Sequence, residues 1–407
     1  MSIMRQLPIA LVALVLAACG EIPKTVLPSS AQDSLGVPLV RLPHLDSTGA
    51  PEWSTELIFS TQGGDGLYFG EFSGMPATFV GESELWIGNG QSIMVLGSDG
   101  TVLRSVGRSG DGPGEFTSLI TSLGIAEDGT VSAFEMTLRR ITRFRSDGKV
   151  ALIVPRMAGF MEALEIEVIA SLDGSRTLAV PWQGRPAVDV SHGVPHGPYL
   201  RNAVPVRMYD SSGAVVDSVG TWPGLQRNAK GLPIRFASGV VFDGRGRTTL
   251  IGVSDSIDLT IFDGSSRIRR LIGPPTARPV TESEKAAWRD GVTQEMGENA
   301  SAVIELDEKL PGVTVLPTVG AVVLDDEGNI WIGEYVTAAS PTRRWHLFSA
   351  TGVPIGTLTL PTETRSFIPS KVELLDVARG RIALLREMPD GEVVVEVRSI
   401  RRLRRAS

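Results

Sequence analysis

From residue 77 onward the chain is built of short apolar runs, each closed by a turn of Asp or Ser with Gly. Runs of this length between such turns predict β-strands rather than helices. The order repeats: apolar strand, Asp/Gly turn, apolar strand, variable loop, apolar strand ending in an aromatic or Leu, Ser/Asp-x-x-Gly turn, strand. The clearest copy has apolar residues 321–324, a turn at 325–328, a strand at 329–333, a third at 345–348 and a turn at 349–352. Further copies lie at 85–100, 124–148, 173–213, 240–264 and 372–397, which makes six. Gly100 to Gly148, Gly129 to Gly174 and Gly328 to Gly380 lie 45 to 52 residues apart, near the ~40–50 of propeller repeats.

A lone four-stranded unit cannot bury both of its faces. Neighbours must stack, and closure into a ring removes the exposed terminal edges. The pattern therefore predicts an all-β chain: a six-bladed β-propeller of four-stranded antiparallel blades over 37–407. A strand before residue 77 should pair with the last blade, and residues 37–42 and 56–60 are the candidate first strands.

Two insertions break the period. Residues 181–203 lengthen the third unit and carry Trp182, Asp189, His192, His196 and Tyr199. Residues 279–311 lengthen the fifth. There Thr281 and Glu284 form a capping box that opens a helix containing Trp288, and 301–310 is a second helical stretch stopped by Pro311 and Gly312. Extra loop length on a fixed scaffold is thermodynamically tolerated and often recruited for binding. Both insertions are expected on one face of the ring, flanking the channel mouth. Trp182, His192, His196, Tyr199 and Trp288 are the candidate ligand-binding residues; the alternative is that each insertion packs on its own blade.

Residues 107–116 hold Gly107, Gly110, Gly112, Pro113 and Gly114 before Glu115 and Phe116. Glycines free to adopt φ > 0 around one proline make a sharply shaped loop. Neither P-loop nor dinucleotide-binding spacing is present. The loop is expected to be structural, with Glu115 accepting backbone N–H groups and Phe116 anchored in a core.

At the N-terminus, Arg5 precedes an apolar stretch at 7–16 that is too short to span a bilayer. Leu16, Ala17, Ala18, Cys19 and Gly20 follow, and this resembles the bacterial lipobox. The resemblance implies cleavage before Cys19 and acylation of that residue, with several acyl chains giving stable membrane anchoring. Gly20 in place of Asp implies outer-membrane sorting by the same resemblance. An ordinary signal peptide with a chance cysteine is the alternative. Residues 1–18 are thus expected to be a lipoprotein signal peptide and 19–36 a tether.

Cys19 is the only cysteine, so no intramolecular disulfide can form. The 407 residues include 45 Gly and 26 Pro, consistent with many turns, and the formal charge of −7 argues against a general nucleic-acid binder. The tail at 398–405 is basic, and either touches anionic headgroups or is the solvated end of the last strand.

Catalytic signals are weak. His192 and His196 are four apart, but Gly193 and Pro195 make a shared helical face improbable, so exposed loop histidines are expected rather than a metal site. No nucleophile elbow is present. Trp86 and Trp331 hold equivalent repeat positions and are expected in the core.

Gly107, Arg108, Gly110, Gly112, Pro113, Gly114, Glu115 and Phe116, followed by Asp128, Gly129, Arg140, Ile141, Phe144, Asp147 and Gly148, resemble the NHL-type repeat. The chain from about residue 37 is similar to bacterial six-bladed β-propeller lipoproteins of the NHL-repeat and TolB-like propeller superfamily. That resemblance implies a fold, not one activity. Related lactonase-type and lyase-type enzymes bind Ca²⁺ through rings of acidic and amide groups at a mouth. Asp325, Asp326, Asp255 and Asp258 are read here more simply as turn residues. The expected function is a non-catalytic, monomeric, lipid-anchored binding protein of the cell envelope, with no required cofactor, that recognises a protein, peptide or glycan. The alternative is a Ca²⁺-dependent hydrolase or lyase with its site at the channel mouth.

Overall fold

Six antiparallel sheets stand around one axis in the computed structural model, which describes residues 31–33, 35–61, 76–135, 137–155, 157, 166–173, 175–181, 194–196, 199–228, 234–276, 278–309, 312–362, 374–387 and 393–402. The signal segment, Cys19, Trp182 and His192 lie outside these residues.

From the axis outward, blade 1 is Ala77–Val80, Glu84–Asn89, Ser92–Leu96 and Val102–Val106. Blade 2 is Ile120–Ile125, Val131–Glu135, Arg140–Phe144 and Val150–Val154, and blade 3 is Ile166–Asp173, Arg176–Pro181, Tyr199–Tyr209 and Val215–Arg227. Blade 4 holds Val240–Arg245, Thr248–Val253, Asp258–Asp263 and Ser266–Ile272, and blade 5 holds Val319–Leu324, Ile330–Glu334, Thr342–Phe348 and Pro354–Pro361. Blade 6 takes Leu374–Ala378, Arg381–Glu387 and Val393–Arg402 from the C-terminus and Trp53–Ser60 from the N-terminus, paired Trp53 to Arg402 and Ser60 to Glu396. The six innermost strands touch in sequence, and Leu374–Ala378 returns to Ala77–Val80 to close the ring.

Each of the six blade interfaces has its own apolar cluster. Trp86, Ile93 and Val95 of blade 1 pack on Phe116, Val131 and Phe144 at blade 2. Trp331 and Trp345 of blade 5 pack on Val377 and Ile382 of blade 6, with Trp53 edge-on to Trp331 at 6.4 Å between centroids. Trp86 and Trp331 are buried, as their repeat positions predict. Stacking of this kind is what a four-stranded unit needs and cannot provide alone.

The N-terminal segment does more than close the ring. Pro38–Arg41 adds a parallel fifth strand to the outer edge of blade 4, and Ala31–Gln32, inside the stretch expected as a tether, pairs with it. Val40, Leu42 and Leu45 enter the cluster between blades 4 and 5. Pro51 then accepts from the Thr357 N–H of blade 5 at 2.9 Å. The segment thus straps three blades together. Gly352 has φ +80°, and a Cβ there would lie 2.5 Å from Val40 Cγ1, so the strap seats only over glycine.

The second insertion is helical. Helix α1 (Glu282–Met296) opens with the expected capping box between Thr281 and Glu284, and α2 (Ala300–Glu308) follows.

Candidate functional site at the channel mouth

Strand direction defines two ends of the ring. All innermost strands run the same way, so the turns that follow them share one end, the turn face. Loops between second and third strands, and connections between blades, share the other. Both insertions belong to this second end: 182–198 joins the second and third strands of blade 3, and 273–318 joins blade 4 to blade 5. Their attachment points therefore share one end of the ring.

The candidate residues there do not gather into one described site. Trp182 and His192 fall outside the described residues. His196 and Tyr199 pair with each other across a short hairpin, Val194–His196 against the start of Tyr199–Tyr209. Trp288 is 6% exposed and packs with Phe236, Val292, Leu316 and Tyr335, with the Arg235 guanidinium 5.0 Å from its ring centroid. Its ring fastens α1 to the propeller, so it is a packing residue rather than part of an exposed binding face. Nearby, the buried Arg201 donates to Ser238 and pairs with Asp255 at 2.8 Å, tying blade 3 to blade 4.

A cavity of about 310 Å³ opens at the turn face instead. Five blades line it: Phe79 and Gly81 from blade 1, Ile125 to Glu127 from blade 2, Arg245 and Thr248 from blade 4, Leu324 to Asp326 from blade 5, and Ala378 and Arg379 from blade 6. Among the described residues none of blade 3 lines it, and the Gly246 N–H of blade 4 donates directly to the Ile125 carbonyl of blade 2 at 3.1 Å.

Beneath the mouth, carboxylates hold the blades to one another. Asp376 Oδ2 accepts from the Phe79 N–H at 2.7 Å and from Thr78 at 3.2 Å, and its Oδ1 pairs with Arg245 Nη1 at 2.8 Å. This joins blade 6 to blades 1 and 4. Asp243 Oδ2 accepts from the Leu324 N–H at 2.6 Å, joining blade 4 to blade 5. Burial pushes the Asp243 carboxyl up to about 6, and the neighbouring Asp376 charge adds to that.

The rim carries the remaining charge. Arg379 has φ +55°, left-handed backbone that side chains other than Gly and Asn rarely adopt. Its N–H donates to Asp326 Oδ1 at 2.9 Å, and its guanidinium, 43% exposed, lies 3.7 Å from Asp326 Oδ2. Asp325 is engaged through both oxygens, by the N–H groups of Glu327 and Asn329, the Asn329 amide and Trp331 Nε1.

Asp325 therefore acts as the turn residue expected of it. Asp258 pairs with Arg270 at 2.6 Å. Among the described residues no three of His, Cys, Asp and Glu come together as metal ligands. Of the basic tail, Arg398 pairs with Glu396 at 2.7 Å and Arg401 with Glu56, so its described part is the end of the last blade's third strand, covered by Trp53–Ser60. Sequence reasoning missed Asp243, Asp376, Arg245 and Arg379. The available signals were Asp residues inside otherwise apolar innermost strands, and an arginine before Gly380 at a turn position that favours Gly or Asn.

No family model matches the chain, and no curated protein matches it. Among solved structures it is similar to a member of the DUF4221 family from Bacteroides vulgatus, at 10% identity and a TM-score of 0.52, over 88% of this chain and 100% of that one. A Bacteroides fragilis protein described as exported matches at 9% identity and 0.42, over 89% and 99% of the two chains. Virginiamycin B lyase from Staphylococcus aureus matches at 11% identity and 0.39, over 85% and 99%. The first of these likenesses supports the propeller architecture, and at such identity it speaks to fold alone.

Proposed function

We propose that this chain is a lipid-anchored, non-catalytic binding propeller of the bacterial cell envelope that receives a protein, peptide or glycan through one end of its ring. The observation that carries the reading is the turn-face cavity, lined from five blades and held in shape by Asp376, Asp243 and their partners. A preformed concave site with a few polar groups on a rigid scaffold is the usual form of a ligand pocket. Near the mouth, Asp376 and Asp243 are engaged in joining blades and Asp325 in closing a turn, which favours binding over a Ca²⁺-dependent hydrolase or lyase. The acylated Cys19 would hold the chain at the outer membrane. The insertion-face residues His192, His196 and Tyr199 would contribute a second contact for a larger partner.

The test is steric. Thr248 lines the cavity, so Thr248→Trp adds bulk there while leaving Asp376 and Asp243 in the chain. Envelope peptides and oligosaccharides are screened by calorimetry against the wild type, this variant and a chain lacking 185–199. Binding lost only in Thr248→Trp places the ligand in the cavity. Loss only on deletion moves it to the insertion face. Turnover of any bound compound would overturn the non-catalytic reading.

A further inference from the structure

The chemistry of the cavity narrows its ligand. Its floor is apolar, from Phe79, Ile125, Leu324 and Ala378 at the ends of innermost strands. Two arginines line the same cavity from different blades. Arg245 donates through Nη1 to Asp376, while the rest of its guanidinium is left to the cavity that it lines. Arg379 keeps its Nη groups free of hydrogen bonds, since its closest carboxylate oxygen, Asp326 Oδ2, lies 3.7 Å from Nε.

Acidic neighbours pair with these guanidinium groups only in part, through Arg245 Nη1 and Arg379 Nε. Asp325 is saturated by its turn, Asp326 holds the Arg379 backbone, and Glu127 lies exposed at the rim. The backbone at Arg379 is a separate indication. Its turn, Arg379 at φ +55° and Gly380 at φ +66°, favours Asn or Gly at the first position. A strained residue over a pocket points to use of its side chain rather than to folding.

Resting on the reading that this cavity is a binding site, the geometry points to a ligand with an aliphatic group next to a carboxylate: the free C-terminus of a peptide, its last side chain on the apolar floor and its carboxylate between Arg245 and Arg379. Guanidinium groups suit planar carboxylates, and capture of a terminal carboxylate is a recurring mode of peptide recognition. A cavity of about 310 Å³ has room for one or two small residues.

The experiment uses the full-length chain in detergent and four probes: acetyl-Ala-Ala with a free carboxylate, its C-terminal amide, inorganic phosphate and a galacturonate disaccharide. Binding is followed by saturation-transfer NMR and calorimetry. The free acid should bind at least tenfold more tightly than the amide, and Arg379→Gly should lose at least tenfold in affinity. Because glycine relieves the strained backbone, Arg379→Gly should melt no lower than the wild type. A clear drop in melting temperature with unchanged affinity would make Arg379 structural and overturn the proposal. So would equal binding of acid and amide, preference for phosphate or galacturonate, or no binding of the free acid. Thr248→Trp separates the two claims: if it blocks a probe that binds without regard to its carboxylate, the cavity reading stands and the carboxylate assignment fails.

Discussion

Asp243 on the innermost strand of blade 4 accepts the Leu324 N–H of blade 5 at 2.6 Å, and burial raises that carboxyl to about 6. A raised folded-state pKa means that the folded chain holds the proton more tightly than the unfolded one. The associated stability is fully present below the unfolded value of 3.8 and is lost as pH rises through about 6. Asp243 keeps a partly exposed edge, so the change between pH 4 and pH 7.5 should be about 2 kcal/mol at ~1.4 kcal/mol per pKa unit. Asp243→Asn keeps an acceptor for Leu324 and cannot ionise. Its unfolding free energy should exceed that of the wild type at pH 7.5 and match it near pH 4. Parallel pH profiles for the two proteins would refute this.

Gly114 has φ +79°, and a Cβ built there meets Val150 Cγ2 at 2.9 Å. Gly114→Val should lower stability by about 2 kcal/mol or more through left-handed strain and crowding. Thermal unfolding with ligand binding measured alongside checks that the loop at 107–116 shapes the fold. A variant that melts normally yet loses binding would assign that loop to a ligand instead.

Arg140 of blade 2 reaches under the same loop. It donates to the carbonyls of Asp111, at 2.9 Å, and Glu115, and pairs at 3.4 Å with Glu135, whose side chain is fully buried. Arg140→Ala leaves that carboxylate with the Thr117 N–H and hydroxyl but no counter-charge, and should cost about 3 kcal/mol. Adding Glu135→Gln should recover part of the loss. Additive losses in the double-mutant cycle would show that the two side chains are not coupled.

Trp53–Ser60 supplies the outermost strand of blade 6 and covers an edge that would otherwise be open. A chain beginning at residue 61 should therefore aggregate or unfold without cooperativity, whereas one beginning at residue 37 should keep the ring. Denaturant unfolding and light scattering distinguish these outcomes. Cooperative unfolding of the shorter chain would mean that the closure is dispensable.

Cys19→Ser should leave the chain without acyl groups and release it from the membrane fraction. Intact-mass measurement checks this, with cleavage expected between Ala18 and Cys19. An unchanged mass apart from the substituted atom would remove the lipid anchor.

The repeated order of apolar runs and Asp/Gly turns determined the six blades by itself, because each turn is a local event: Asp128 accepts the Thr130 N–H two residues on, and Gly129 supplies φ > 0. The capping box at Thr281 and Glu284 was legible for the same reason. Burial of Trp86 and Trp331 followed from repeat position, since a stacked blade has only one arrangement that hides its apolar face. Tertiary structure alone decided what joins residues far apart in the chain. Pro38–Arg41 looks like any other short strand, and its place on blade 4 depends on the gap over Gly352. Trp288 looks like a binding residue until α1 folds back on Tyr335 and Phe236. Asp243 and Arg245 share the innermost strand of blade 4, and Asp376 and Arg379 lie on the innermost strand of blade 6 and the turn after it. The two pairs are more than 130 residues apart in sequence, and only closure of the ring brings Arg245 onto Asp376.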